Sequence, residues 1–217
     1  MSKLISIKEA VDMIKDGDVL MVGGFLGVGT PEPLIDALVD SGKKDLTLVC
    51  NDTSFVDKGV GKMIVTKQFK KAMVTHIGTN KETGRQLNAG ELIVDLYPQG
   101  TLAEKIRAAT FGLGGILTPT GLGTEVQEGR EVVEIKGKQY ILEEALHGDV
   151  SILQADLVDK AGNMVFDGST QNFNVPMAGA SKINIVYAKK LVEIGEIDPN
   201  VVKVSGVLID YIIDGGK

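Results

Sequence analysis

Over the first half of this chain, short apolar runs alternate with amphipathic stretches, and the alternation reads as strand followed by helix. Ser6-Ile7-Lys8-Glu9 has the form of a capping box, with Ser6 at the N-cap and Glu9 reaching back. Ala10, Val11 and Ile14 share one face of the helix it opens, and Gly17 ends it. Residues 19–22 are continuously apolar, as in a strand covered on both faces. Thr30 is then expected to cap a helix with Pro31 at its first position and Leu34, Ile35, Leu38 and Val39 as its buried stripe. Strands are predicted at 46–50, 72–75 and 93–97, with helices within 61–69 and near 82–89. Pro98-Gln99-Gly100 reads as a turn, and Thr101-Leu102-Ala103-Glu104 as a second capping box opening a helix to about residue 109.

The rhythm changes after Phe111. Residues 112–123 hold five glycines and Pro119, and read as a long irregular segment. Residues 131–135 and 138–142, joined around Lys136-Gly137, read as a β-hairpin. Further strands are predicted at 150–154, 164–166, 183–188 and 207–211. The whole pattern predicts an α/β fold in one domain, residues 1–217. Its mainly parallel sheet has helices on both faces, and a β-hairpin and strand region fills the C-terminal part.

Composition narrows the function classes. With 43% hydrophobic and 24% charged residues, the chain has the make-up of a soluble globular protein. No apolar stretch approaches the roughly 20 residues that span a bilayer, so no membrane is expected. The N-terminus reaches charged Lys8, Glu9 and Asp12 too early for a secretory signal, and a cytoplasmic location is expected. The net charge of −6 argues against nucleic acid as a partner. Cys50 is the only cysteine, so no intrachain disulfide can form, and at the end of an apolar strand it reads as a buried, inert thiol. His76 and His147 lack zinc-ligand spacing and read as structural; no metal is expected.

The densest chemical signal is residues 16–31, where an apolar strand runs into a loop with four glycines in seven residues and then a proline. The loop comprises Gly23, Gly24, Phe25, Leu26, Gly27, Val28 and Gly29. A strand-to-helix loop of this kind can offer bare backbone N–H groups to an anion or a developing oxyanion. The plainer alternative is a tight turn that packs a helix on a sheet. It is not a dinucleotide fingerprint, because Glu32 stands where the third glycine would be, and no GxxxxGK[ST] occurs anywhere in the chain. Ser169 and Ser181 lack the hydrolase elbow.

Residues 16–31 resemble the signature of the family I CoA-transferases: Asp-Gly, two free positions, three aliphatic residues, Gly-Gly-Phe, three free positions, Gly, one free position, Pro. Every fixed position is filled. Asn51-Asp52-Thr53, His76 to Asn80, Pro98-Gln99-Gly100-Thr101, Gly112 to Gly115, Thr118 to Gly121 and Asn172-Phe173-Asn174 resemble segments of the family's α subunits of acetate/acetoacetate and butyrate–acetoacetate type.

The resemblance implies an enzyme subunit that moves CoA between acyl-CoA and a short-chain carboxylate by a ping-pong route, with CoA as substrate and no tightly bound cofactor. It implies a glutamate nucleophile in a Ser-Glu-Asn-Gly stretch of a β subunit, and no Glu-Asn-Gly occurs here. A partner chain is therefore expected, with α2β2 the family's usual assembly. It further implies that residues 23–29 line the CoA and acyl site, with Phe25 against the pantetheine arm or acyl group. Gln99 would donate to an oxyanion or carboxylate; otherwise it is a solvated turn residue. Asn51, Asp52 and Gly100 are candidate substrate contacts, though Asn51 and Asp52 by themselves suit an Asx turn. Gly179 stands where related α subunits usually carry a larger residue; inside a helix it would cost about 1 kcal/mol relative to alanine. Two other readings stay open: a sugar-phosphate isomerase, which would act alone, and a non-catalytic effector-binding module of the same fold.

Overall fold

The computed structural model describes residues 3–216, so Met1 and Ser2, the start of the N-terminal segment read above, lie outside it. In chain order the elements are α1 (Ile7–Met13), β1 (Val19–Val22), α2 (Glu32–Ser41), β2 (Leu46–Val49), α3 (Gly61–Val65), β3 (Phe69–Val74), α4 (Lys81–Asn88), β4 (Ile93–Leu96) and α5 (Gln99–Thr110). They continue as β5 (Gly115–Thr118), β6 (Val132–Ile135), β7 (Lys138–Glu144), β8 (Gly148–Ala155), β9 (Leu157–Asp159), β10 (Met164–Val165), α6 (Asn174–Met177), β11 (Ser181–Ala188), β12 (Leu191–Val192) and β13 (Tyr211–Asp214).

Seven strands form one sheet in the order β13-β11-β8-β1-β2-β3-β4. Every pairing in it is parallel. Alternate strand residues feed two apolar layers. Leu20, Val22, Leu48, Ala72, Ile152 and Ile213 meet the stripe of α1, α2 and α3, where Ala10, Ile14, Leu34, Ile35, Leu38 and Met63 are fully buried. Met21, Val49, Leu153, Val186 and Ile212 meet Leu102 and Ile106 of α5 and Met177 of α6 on the other face. The run 19–22 is thus apolar throughout because both faces are covered. The capping box at Ser6 forms as expected: Ser6 Oγ accepts from Glu9 N at 3.2 Å, and Glu9 Oε2 accepts from Ser6 N at 2.8 Å.

Several sequence expectations are corrected. Pro31, not Thr30, is the N-cap of α2, and the helix starts at Glu32. Thr30 Oγ1 instead donates to Gly23 O at 3.0 Å, so the hydroxyl closes the glycine loop rather than the helix. No second capping box forms: α5 begins at Gln99 behind Pro98, which puts Gln99 and Gly100 in the first helical turn. Proline supplies a fixed φ there, and the hydroxyl of Thr101 is buried in the helix flank. The segment 112–123 is not wholly irregular, because β5 pairs antiparallel with β7, which also pairs with β6. The expected hairpin is therefore two strands of a three-stranded sheet. Residues 207–211 are not a strand: 206–208 form a 3-10 turn, and β13 begins at Tyr211. Gly179 lies outside α6 with φ of +88°, so its cost is not that of a helical glycine. A side chain there would be strained and would meet Leu208 Cδ2 at 3.0 Å. Among the described residues no helix is long and apolar enough to cross a membrane.

The small antiparallel sheet is tied to α5 by charge. Glu143 on β7 is 3% exposed, and its Oε2 accepts from Lys105 Nζ at 2.5 Å. Arg130 Nε lies 2.7 Å from Oε1, out of hydrogen-bond alignment. Both cations sit over the Tyr97 ring, 5.4 and 5.6 Å from its centroid. Lys105→Ala leaves a buried carboxylate with one misaligned partner. It is expected to lower unfolding free energy by about 3–5 kcal/mol, read from the urea midpoint. A midpoint like that of the parent chain would show the tie to be dispensable.

Candidate active site

In the central sheet the chain runs outward from β1 in both directions, through β2, β3 and β4 on one side and β8, β11 and β13 on the other. The strand order therefore reverses between β1 and β8, and the carboxyl edge at such a reversal is the usual ligand site of an open parallel sheet. The glycine loop follows β1, residues 50–60 follow β2, residues 75–80 follow β3, and Pro98-Gln99 follows β4. Gly23–Gly29, Asn51, Asp52 and Gln99, far apart in sequence, are thus brought to one edge.

The glycine loop is a built object. Phe25 N donates to Val28 O at 3.0 Å, and Val28 N to Phe25 O at 2.9 Å, closing a two-residue turn over Leu26 (φ 48°) and Gly27 (φ 76°). Gly23 N donates to Ile152 O of β8 at 3.0 Å. Leu26 N donates to Asp52 Oδ2 at 2.9 Å. The loop therefore spends four of its N–H groups on itself and its neighbours. Among the described residues, the N–H groups of Gly24, Gly27 and Gly29 have no protein acceptor. This corrects the picture of a loop with all donors bare.

The need for glycine is steric at Gly23. A Cβ there would fall 1.8 Å from Asn174 Oδ1. Asn174 is fully buried and pins the loop to its surroundings. Its Oδ1 accepts from Gln154 N at the end of β8 at 3.0 Å, and its Nδ2 donates to Gly29 O at 2.9 Å and Thr170 O at 2.8 Å. Sequence reasoning gave Asn174 no role. Its only sign was a polar residue in the Asn172-Phe173-Asn174 segment, and local pattern says nothing of partners more than a hundred residues away.

Beside this loop lies a second turn of the same form. Phe55 and Lys58 bridge as Phe25 and Val28 do, and a Cβ on Gly59 would lie 3.4 Å from Gly27 Cα. Lys58 lays its aliphatic stem over Gly27, where a Cβ would meet Lys58 Cε at 2.7 Å. Phe25 and Phe55 are 41% and 39% exposed on the outer side of the paired turns. Phe25 is thus not a core aromatic.

Asn51 and Asp52 are buried, at 2% and 4% exposure. Asp52 Oδ2 accepts from Leu26 N and, at 2.6 Å, from Asn51 Nδ2; its Oδ1 accepts from Ser54 N at 2.7 Å. Asn51 Oδ1 accepts from Gln99 Nε2 at 2.7 Å. Gln99 and Gly100 are exposed, so Gln99 is half free: its Oε1 and its second N–H have no partner among the described residues. Burial pushes the Cys50 thiol well above its ordinary range, and the Asp52 carboxylate adds to the effect. His76 is exposed beside this edge, with no hydrogen bond to its ring among the described residues, so it is not the satisfied histidine expected. Among the described residues, no group of three or more His, Cys, Asp or Glu could hold a metal ion.

Comparison with known proteins places this arrangement. The family model described as Coenzyme A transferase matches residues 4–215. The chain is 46% identical over 212 residues to acetate CoA-transferase subunit alpha of Escherichia coli K12, covering 98% of this chain and 96% of that one. It is 45% identical to the acetoacetyl-CoA:acetate/butyrate CoA transferase alpha subunit of Clostridium acetobutylicum, covering 98% and 97%. Among solved structures, an acyl-CoA transferase from Escherichia coli O157:H7, in a thioester complex with CoA, superposes with TM-score 0.88 at 25% identity. That match covers 98% of this chain but 47% of the other, so this chain spans about half of that polypeptide. Glutaconate coenzyme A-transferase from Acidaminococcus fermentans shares the fold, with TM-score 0.85 at 20% identity, 98% of this chain and 75% of that one.

Asn174→Ala removes four side-chain hydrogen bonds at once, the fourth a longer one from Nδ2 to Asn172 Oδ1 at 3.4 Å. It is expected to cost on the order of 3 kcal/mol in stability and to speed amide hydrogen exchange across residues 23–30. Unchanged exchange in that segment would show that the loop does not depend on Asn174.

Proposed function

The chain belongs to the coenzyme A transferase family, and from that premise we propose that it is the α subunit of a cytoplasmic enzyme moving CoA between short-chain acyl-CoA and free carboxylates. The observation that carries the reading is the glycine loop at the carboxyl edge of the sheet, with N–H groups unspent and no attacking carboxylate in its own contacts. Asp52, the carboxylate bonded to the loop, is buried with both oxygens engaged. The attacker then comes from a β subunit, and α2β2 is the assembly proposed. The relatives are named as alpha subunits, which supports a second chain.

In this reading a glutamate carboxylate of the partner attacks the thioester carbonyl. The C–S bond breaks, CoA leaves as thiolate, and an acyl-glutamyl anhydride remains. The thiolate attacks the glutamyl carbonyl, the first acid leaves as carboxylate, and a glutamyl-CoA thioester stands on the enzyme. A second acid runs the same steps in reverse. Each attack places negative charge on a carbonyl oxygen. Donors fixed beforehand stabilise that charge without reorganising, an effect worth about 10²–10³ in rate per donor. Gly27 N–H, on the turn tip, and the second N–H of Gln99 are the donors proposed here. Gly23 to Gly29 line the acyl and CoA site, Gly100 flanks it, and the exposed Phe25 meets the acyl group or pantetheine arm. The acids proposed are acetate, acetoacetate and butyrate, after the substrates named for the relatives. CoA enters as substrate.

The test is an acetoacetyl-CoA plus acetate assay on this chain, on the β subunit and on the two combined. Turnover is expected only in the mixture; turnover by this chain alone would favour a self-sufficient site and end the two-chain reading. In the assembled enzyme, Gln99→Ala is expected to leave assembly intact and lower kcat by roughly 10²-fold. Equal rates with every acid pair would remove Gln99 from the site.

A further inference from the structure

Asn51 and Asp52 suggest themselves as substrate contacts, but their hydrogen bonds assign them other work. A carboxylate only accepts, and Asp52 faces two backbone donors, Leu26 N and Ser54 N, on its two oxygens. The group 2.6 Å from its Oδ2 must therefore be a donor, which fixes the Asn51 amide with Nδ2 toward Asp52. Asn51 Oδ1 is thereby turned to Gln99, and the atom facing it at 2.7 Å must be Nε2. The polarity of one buried carboxylate thus passes through a buried amide to an exposed one. The same Asp52 Oδ2 holds the Leu26–Gly27 turn.

Resting on the role proposed for Gln99, we infer that Asn51 and Asp52 are positioning residues that set which end of the Gln99 amide meets the reacting groups and lock that amide to the glycine loop. Asn51 is anchored on its other side: its backbone carbonyl accepts from Thr75 N and Thr75 Oγ1, both at 2.8 Å. The relay therefore starts from a fixed frame and ends on the one member that reaches solvent. Gln99 presents an N–H and Oε1 to solvent at this edge, a donor beside an acceptor. Without the relay the amide rotates freely, and half its orientations put Oε1 where a carboxylate or oxyanion needs a donor.

The experiment is a double-mutant cycle in the assembled enzyme. Asn51→Leu cuts the relay yet leaves Asp52 its two backbone donors; Asn51→Ala is the smaller second variant, and circular dichroism checks that each folds. Both are expected to lower kcat roughly tenfold with KM changed less than about twofold, since a misplaced group costs rate before binding. In the Gln99→Ala background, Asn51→Leu is expected to add nothing, because it acts through the absent amide. Asp52→Ala is expected to add a further loss there, because it also frees Leu26 N. Additive losses for Asn51, or a loss carried by KM, would overturn the inference in favour of direct substrate contact. The chain with native residues gives a reading that needs no variant: the two side-chain amide protons of Gln99 should exchange with solvent at distinct rates, one held by Asn51. Equal, solvent-like rates would overturn it as well. An inert Gln99→Ala would instead sink the functional reading of Gln99, a separable failure.

Discussion

β1 is hydrogen-bonded on both edges and covered on both faces, and that enclosure governs the path of the chain beyond it. A chain leaving such a strand meets neighbouring strand ends on either side and helices above and below. It can escape only by turning at once, through residues with no side chain to place. Gly23 sits where Asn174 already occupies the Cβ position, and Gly24 has φ of +131° with Thr30 Oγ1 2.0 Å from where its Cβ would be. The glycines are forced first by crowding. Their fitness for close approach by a ligand comes from the same absence of side chains.

Holding the loops is the task of buried polar side chains rather than of apolar packing. Asn174, Asp52 and Asn51 each join segments remote in sequence, Thr30 closes the glycine loop itself, and each is at most 5% exposed. A buried polar group is stable only when its bonds are met, so each of these side chains admits very few local arrangements. Rigid donors need such a foundation, since an oxyanion is stabilised best by groups that do not move toward it.

The layers and the order of the first four strand–helix units were legible because apolar periodicity reports burial directly. The capping box at Ser6 was legible because both partners lie within four residues. What failed was local chemistry overruled by distant partners. Thr30 has the side chain of a helix cap, but Gly23 O stood nearer and in need of a donor. Thr101 and Glu104 have capping-box spacing, but Pro98 starts the helix earlier. Residues 115–118 lacked strand signals, being flanked by glycine and proline, and became a strand only because β7 offered a free edge. For the site, the glycine loop and Gln99 could be singled out from sequence because a family motif and a position after a strand mark them. The saturation of Asp52 was legible only in part: the Ser54 N–H on its Oδ1 is a bond of the Asx-turn kind the sequence suggests, but Leu26 N comes from a loop 26 residues away that no local spacing announces.

The twin turns at 25–28 and 55–58 each leave a phenyl ring exposed at the carboxyl edge of the sheet. Each ring is held on a backbone too constrained to tuck it away. Apolar surface of that kind, left uncovered, lowers the solubility of the chain that bears it.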